Sequence, residues 1–171
     1  MPERRTRRDA LAAGLAGAAA LALAPATAGA RGADESAVLT KLARAERDAV
    51  FVYLNGTVAE IGSLLARHDL EHVRALATHL QALGMPIPAA TRAPAGLGPE
   101  ALAVLEARDP GARLRAALAY ERSLVDGCAR SLAALEHPNT VRTVATVMAG
   151  HAQHAAVLER RAGIAPFSSR S

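Results

Sequence analysis

Beyond residue 35, apolar residues recur at α-helical spacing along most of the chain, and the breaks in that pattern fall at glycine and proline. Leu39, Leu42, Val50 and Tyr53 mark a first helix from Ser36, with Asp34, Glu35 and Ser36 supplying capping groups and favourable charge at its start. Asn55-Gly56 stops it. Thr57-Val58-Ala59-Glu60 fits the S/T-x-x-E capping box, so a second helix is expected to begin at once and to carry Ile61, Leu65, Leu76, Leu80 and Leu83 as far as Gly84. Residues 85–99 are broken by proline and glycine and are long enough to cross the end of a bundle. A short helix follows from Pro99 to just before Asp109-Pro110. A third long helix holds Leu114, Leu118, Val125, Cys128, Leu132 and Leu135 in register until His137-Pro138, and a fourth carries Val141, Val144, Met148, Ala155 and Leu158 to Gly163. The pattern predicts an all-α domain over residues 36–163, a linker over 31–35 and a disordered tail over 164–171.

The first thirty residues read differently. Thr6-Arg7-Arg8-Asp9-Ala10-Leu11 fits the S/T-R-R-x-x-hydrophobic pattern of a twin-arginine leader, with Arg7 and Arg8 as the recognised pair. The weakly apolar run Ala10–Ala24 reaches Pro25 before it is long enough to span a bilayer, and small residues follow it. Residues 1–30 are therefore expected to be a signal peptide, cleaved between Gly29 and Gly32. The expected partner is the twin-arginine translocase and the expected location is the periplasm or the extracellular space, with no membrane anchor after cleavage.

Composition narrows the function classes. Of 171 residues only two are Phe and two Tyr, with no Trp, so the apolar content is mostly Ala, Leu and Val, which favours close-packed helices. The net charge of +4 falls to +2 once the four arginines and two acids of residues 1–30 are set aside. With so few aromatics to stack bases, no nucleic acid is expected as a partner. Cys128 is the single cysteine, which excludes intramolecular disulfides and cysteine-rich metal clusters, and its place on an apolar stripe reads as a small buried residue. No serine triad or phosphate-binding glycine loop is visible.

The chemistry lies in polar residues on apolar stripes. Glu46 falls between Leu39 and Val50, Glu121 between Leu118 and Val125, and His68, His72 and His79 share the stripe of the second helix. His151 and His154 take core-facing positions on the fourth helix, and Asp69 lies nearer the rim of its stripe. A carboxylate inside a bundle is costly unless paired, hydrogen-bonded or bound to a metal. Carboxylate oxygen and imidazole nitrogen on facing helices suit iron, manganese or zinc, and buried Glu-His and Asp-His hydrogen bonds without metal are the alternative. Both remain open on charge placement alone.

The two halves also echo each other. Glu46-Arg47-Asp48-Ala49-Val50 and Glu121-Arg122-Ser123-Leu124-Val125 both read E-R-x-x-V, and Asp69-x-x-His72-x-x-x-Leu76 parallels His151-x-x-His154-x-x-x-Leu158. In this order, together with Ala45-Glu46 and Tyr53 seven residues on, Asp69-Leu70-Glu71-His72, Tyr120-Glu121 and His151-Ala152-Gln153-His154, the chain resembles the ferritin-like superfamily, especially its rubrerythrin-like branch. The resemblance implies a four-helix bundle with a long crossover connection and one short extra helix. It also implies a two-iron centre for reactions with oxygen or peroxide or for iron oxidation. Carried over, its ligands are Glu46, Asp69, His72, Glu121 and His154, with His151 where a fourth acid should stand. Asp69 is one methylene short, and His151 replaces a bridging carboxylate by a neutral nitrogen ligand. The short first hairpin is expected to set Asp69 and His72 about two turns off the level of Glu46, making His68 the alternative ligand.

The expected function is that of an exported ferritin-like protein with a divalent-metal site of modified di-iron type, acting in oxidation or metal handling. The metal is iron in the first instance, with manganese, zinc and copper as alternatives. A redox-active ion would make the chain a metal-dependent oxidoreductase. The alternative is a metal-free ferritin-like bundle acting as a structural or partner-binding module. A homo-oligomer is compatible with either.

Overall fold

The computed structural model describes residues 25–163. Every regular element among them is helical: α1 (Pro25–Asn55), one 3-10 turn (Ala59–Ile61), α2 (Gly62–Ala82), α3 (Pro99–Glu106), α4 (Pro110–Leu132) and α5 (Pro138–Arg161). The all-α expectation holds for these residues, and none of their helices is long and apolar enough to cross a membrane. Arg7 and Arg8, the apolar run of the expected leader and the expected tail 164–171 lie outside the described residues. By its contacts the chain divides into Met1–Ala33 and Asp34–Ser171, and the core belongs to the second unit.

Helix boundaries follow local chemistry. Prolines occupy the first turns of α3, α4 and α5, where a missing N–H costs nothing and a fixed φ is already helical. Asp109 caps α4 by accepting from the Ala112 N–H at 2.7 Å. Gly84, at φ +69°, ends α2 with the Met85 N–H on the Leu80 carbonyl and its own N–H on Gln81, a left-handed cap that glycine adopts without strain.

Two expectations are corrected. Helix α1 begins at Pro25, not Ser36, so residues 31–35 are helical. The alanine-rich segment after Pro25 contains no further proline to stop a helix, and Ser36 lies inside it, its carbonyl accepting from Thr40 Oγ1. The capping box at Thr57–Glu60 does not form either. Thr57 takes a positive φ of 48°, Val58 precedes the 3-10 turn with no side-chain cap, and Val58 and Ile61 are buried in the core. Burying two aliphatic side chains outweighs one capping bond. The turn thereby uses residues 56–61, and α2 starts only at Gly62.

The core is split in two. One apolar cluster takes Ala49, Val52 and Tyr53 from α1, Leu65 and Ala66 from α2, Leu118, Tyr120 and Leu124 from α4, and Ala155 and Leu158 from α5. The other takes Leu39, Leu42 and Ala43 from α1, Leu76 and Leu80 from α2, Cys128 from α4, and Val144 and Val147 from α5. Chain direction follows from residue order: α1 and α5 run from the second cluster to the first, α2 and α4 from the first to the second. The connection after α2 must therefore travel the length of the helices. Met85 packs against the second cluster, Leu97, Ala101 and Val104 join the first, and Thr91 donates to Asp48 of α1 on the way.

Candidate metal centre

Between the two apolar clusters each long helix contributes polar side chains: Glu46 from α1, Asp69 and His72 from α2, Glu121 from α4, His151 and His154 from α5. Glu46, Asp69, Glu121, His151 and His154 are buried, and the His72 side chain is 14% exposed. The longer turn between α1 and α2 explains why they share one level. Glu46 lies between two and three helical turns before Asn55, and His72 lies the same distance after Gly62. The expected two-turn offset is thus absent.

His151 stands at the centre. Its Nε2 donates to Glu46 Oε1 and its Nδ1 to Glu121 Oε2, both at 2.8 Å. An imidazole can donate from both nitrogens only as the cation. Burial opposes that charge, but the two carboxylates outweigh it and hold His151 up at about 11. The reciprocal effect lowers both acids: burial alone would raise Glu121, yet its hydrogen bond to His151 and the closeness of His154, together with the charges of both rings, bring it to about 2, and Glu46 is lowered in the same way by His151 and His72. His72 Nδ1 donates to the other oxygen of Glu46 at 3.1 Å. Tyr53, two turns beyond Glu46, donates its hydroxyl to Glu121 Oε1 at 2.5 Å, and burial together with the Glu121 charge keeps that phenol protonated.

Asp69 is different. It is fully buried, and neither of its oxygens has a hydrogen-bond partner. His72 Nδ1 and His154 Nδ1 stand 3.8 Å and 3.7 Å from its Oδ1, too far for hydrogen bonds. Burial, then the nearby charges of Glu46 and Glu121, push its carboxyl well above the usual range. His154 Nδ1 is also without a hydrogen bond; it lies 3.3 Å from Glu121 Oε1 but is not aligned with it. Potential ligand atoms fall into two groups, each within 4.8 Å: Glu46, Asp69, His72 and His151, and Glu121, His151 and His154.

All six residues of the expected ligand set therefore meet in one layer. His68 does not join them. It is exposed, its Nδ1 is 3.1 Å from His154 Nε2, and the two rings stack with centroids 5.3 Å apart. With α2 at the level of Glu46, the alternative ligand becomes a neighbour of the candidate ligand His154. His79, further along the same stripe, bonds Thr143 Oγ1 at 2.8 Å and lies outside both groups.

Two contributors lie outside the expected ligand set. Tyr53 reads in the sequence as an apolar stripe residue and, seven residues after Glu46, as part of the family resemblance, but its bond to Glu121 was not expected. Gly150 gives the His72 ring its room: a Cβ there would lie 2.6 Å from His72 Nε2. A glycine inside a helix, directly before His151, is the available clue.

No family model and no curated protein matches this sequence. Its structure is similar to the crystal structure of a conserved hypothetical protein, rv2844, from Mycobacterium tuberculosis, with a TM-score of 0.65 and 16% identity, covering 82% of this chain and 99% of that one. At that identity the likeness is one of fold.

Proposed function

We propose that this chain is a ferritin-like four-helix bundle whose polar layer binds a divalent transition metal and serves in oxidation or metal handling. The fold part draws on the direction of the four long helices, two pairs joined by a connection that runs their full length. The metal part draws on one observation above all, the buried Asp69 carboxylate with two unpartnered oxygens beside the unpartnered His154 Nδ1. A buried polar atom without a partner costs stability, and a cation between these groups would supply the missing interaction.

Asp69, His72, His154, Glu46 and Glu121 fit a site for iron, manganese or zinc by donor type. A redox-active ion held there would supply one-electron chemistry toward oxygen or peroxide. The protein's own part is orientation: Tyr53 fixes Glu121, and Gly150 lets His72 lie against α5. His151 is the proton-bearing member, and binding through its nitrogens requires it to release that proton. The twin-arginine leader makes the proposed setting exported, and cleavage near residue 30 would leave the unit that carries the centre intact.

The rival reading is a metal-free bundle, and the observation in its favour is the Glu46–His151–Glu121 arrangement, in which every carboxylate oxygen already accepts a hydrogen bond. Metal analysis of protein purified from its native compartment distinguishes the two. At least about one tightly held transition metal per chain is expected, with affinity falling about 10-fold or more in His154→Ala, the scale of losing even a group that supports a ligand. A stable protein that takes up no metal would overturn the metal reading.

A further inference from the structure

A groove of about 540 Å³ opens between α1 and α4 and ends against Glu46 and Cys128. Its volume lies in the range of small-molecule pockets. The walls are apolar: Leu42 and Ala45 on one side, Leu124 and Gly127 on the other. Two serines in the α4 wall make no polar demand, because Ser123 donates to the Tyr120 carbonyl and Ser131 to the Gly127 carbonyl. The Cys128 thiol is buried and protonated in the physiological range, raised to about 12 by burial and then by the Glu46 charge.

Gly127 is the informative residue. It sits inside α4, where glycine is among the poorest helix formers, and a Cβ placed on it would meet nothing within 4 Å. Helix stability and packing would both accept alanine or something larger. What glycine provides here is width, since any side chain at this position would project into the groove.

The mouth carries Lys41 and Arg130 against a single acid, Glu100, and all three are exposed. No ion pair of Lys41 or Arg130 occurs among the described residues. An apolar cleft with cations at the mouth and a candidate ligand of the metal centre at its base is complementary to a molecule with an anionic end and an apolar body.

We propose that this groove binds a small amphiphilic carboxylate, its charged end between Lys41 and Arg130 and its apolar body directed toward Glu46. The groove stands on its own geometry; only the idea that its occupant meets a metal rests on the function proposed above.

The probe is decanoate, with decanol as its neutral counterpart, titrated below their aggregation limits into the metal-free protein by calorimetry. Saturable binding of one decanoate per chain is expected, with decanol at least about 10-fold weaker. Gly127→Phe should abolish binding while the thermal unfolding temperature is not lowered; Gly127→Val serves if the larger variant fails to fold. Reversing charge in Lys41→Glu/Arg130→Glu should remove the preference for decanoate and leave decanol as it was. Absence of saturable binding, wild-type affinity in the Gly127 variants, or equal affinity for the two probes would overturn the proposal. In cobalt-loaded protein decanoate should alter the visible absorption, and an unchanged spectrum with intact binding would overturn the approach to the centre. Failure to bind cobalt would count against the metal function and leave the calorimetric result standing.

Discussion

In one half of the polar layer His151 donates to Glu46 and Glu121 at 2.8 Å each, while in the other Asp69 is equally buried and has no hydrogen-bond partner. Both halves are made of acids and imidazoles drawn from facing helices. The first is complete as it stands, an imidazolium between two carboxylates. The second leaves both Asp69 oxygens and the His154 Nδ1 without a hydrogen bond. Burial costs both alike, so the difference teaches that the hydrogen-bonding demand of buried acids inside a helical layer can be met internally or left open. A protein that used its polar layer only to specify the packing of its helices would gain by completing both halves. The incomplete half is where the proposed cation would have its use.

Removing a carboxylate from each half should therefore change stability in opposite directions, and this is the largest effect expected. Glu121→Gln removes one of the two carboxylates that hold the buried His151 cation, leaving Glu46, and should destabilise the metal-free protein by about 2–3 kcal/mol, the cost of losing a charged hydrogen bond. Asp69→Leu replaces an unpaired carboxyl by an apolar group of the same branching and should be neutral or stabilising by about 1 kcal/mol, while the proposed metal binding is lost. Denaturant unfolding with a chelator present measures both, and equal destabilisation would erase the distinction between the halves. The pH dependence carries the same signature. Glu121, lowered from 4.5 to about 2, contributes stability that is full above 4.5 and lost as pH falls toward 2. His151, raised from 6.5 to about 11, contributes stability that is full below 6.5 and lost as pH rises toward 11. Their joint contribution is full between pH 4.5 and 6.5, and Glu121→Gln should flatten both limbs.

A smaller effect separates two glycines inside helices. Gly150→Ala drives a methyl to within 2.6 Å of His72 Nε2, so the ring must move and its bond to Glu46 weakens. Overpacking costs about 1–3 kcal/mol, and better helix propensity returns up to about 1 kcal/mol of it. A net loss of about 1–2 kcal/mol is expected, with metal affinity reduced about 10-fold or more. Gly127→Ala meets no atom and should gain up to about 1 kcal/mol. Thermal unfolding of the pair decides; a stabilised Gly150→Ala would mean that His72 has free space elsewhere.

Helical periodicity was enough to turn Glu46, Glu121, His72, His151 and His154 inward, because a 3.6-residue repeat fixes which face a side chain shares with its apolar neighbours. It could not set the level at which two helices meet. That was decided at residues 56–61, where burial of Val58 and Ile61 displaced the capping box and delayed α2, and with it brought His72 to Glu46 and left His68 outside. Periodicity is equally blind to pairing within the layer. His151 was legible as a nitrogen donor in the place of an acid, but its position between two carboxylates depends on four helices at once. The start of α1 was hidden for a simpler reason: capping residues at 34–36 can lie within a helix when the residues before them are alanine-rich.

The smallest effect is expected at His68, outside both halves but in contact with the unfinished one. Its ring is exposed, so His68→Ala should alter stability by no more than about 0.5 kcal/mol. Its contact is with His154 Nε2 at 3.1 Å, on the side of that ring away from Nδ1, which faces Asp69 and Glu121. Losing the partner frees the His154 ring to rotate and removes whichever tautomer preference the bond imposes. Metal affinity should then fall by about 10-fold at most, the lower end for groups that orient a ligand. His68→Gln, which keeps a donor and an acceptor near the same place, should recover most of the loss. Competition against a chelator of known affinity reads out all three proteins. An alanine variant with full affinity would make the stacked pair a surface packing feature, whereas a loss as large as that of His154→Ala would make His68 a ligand after all.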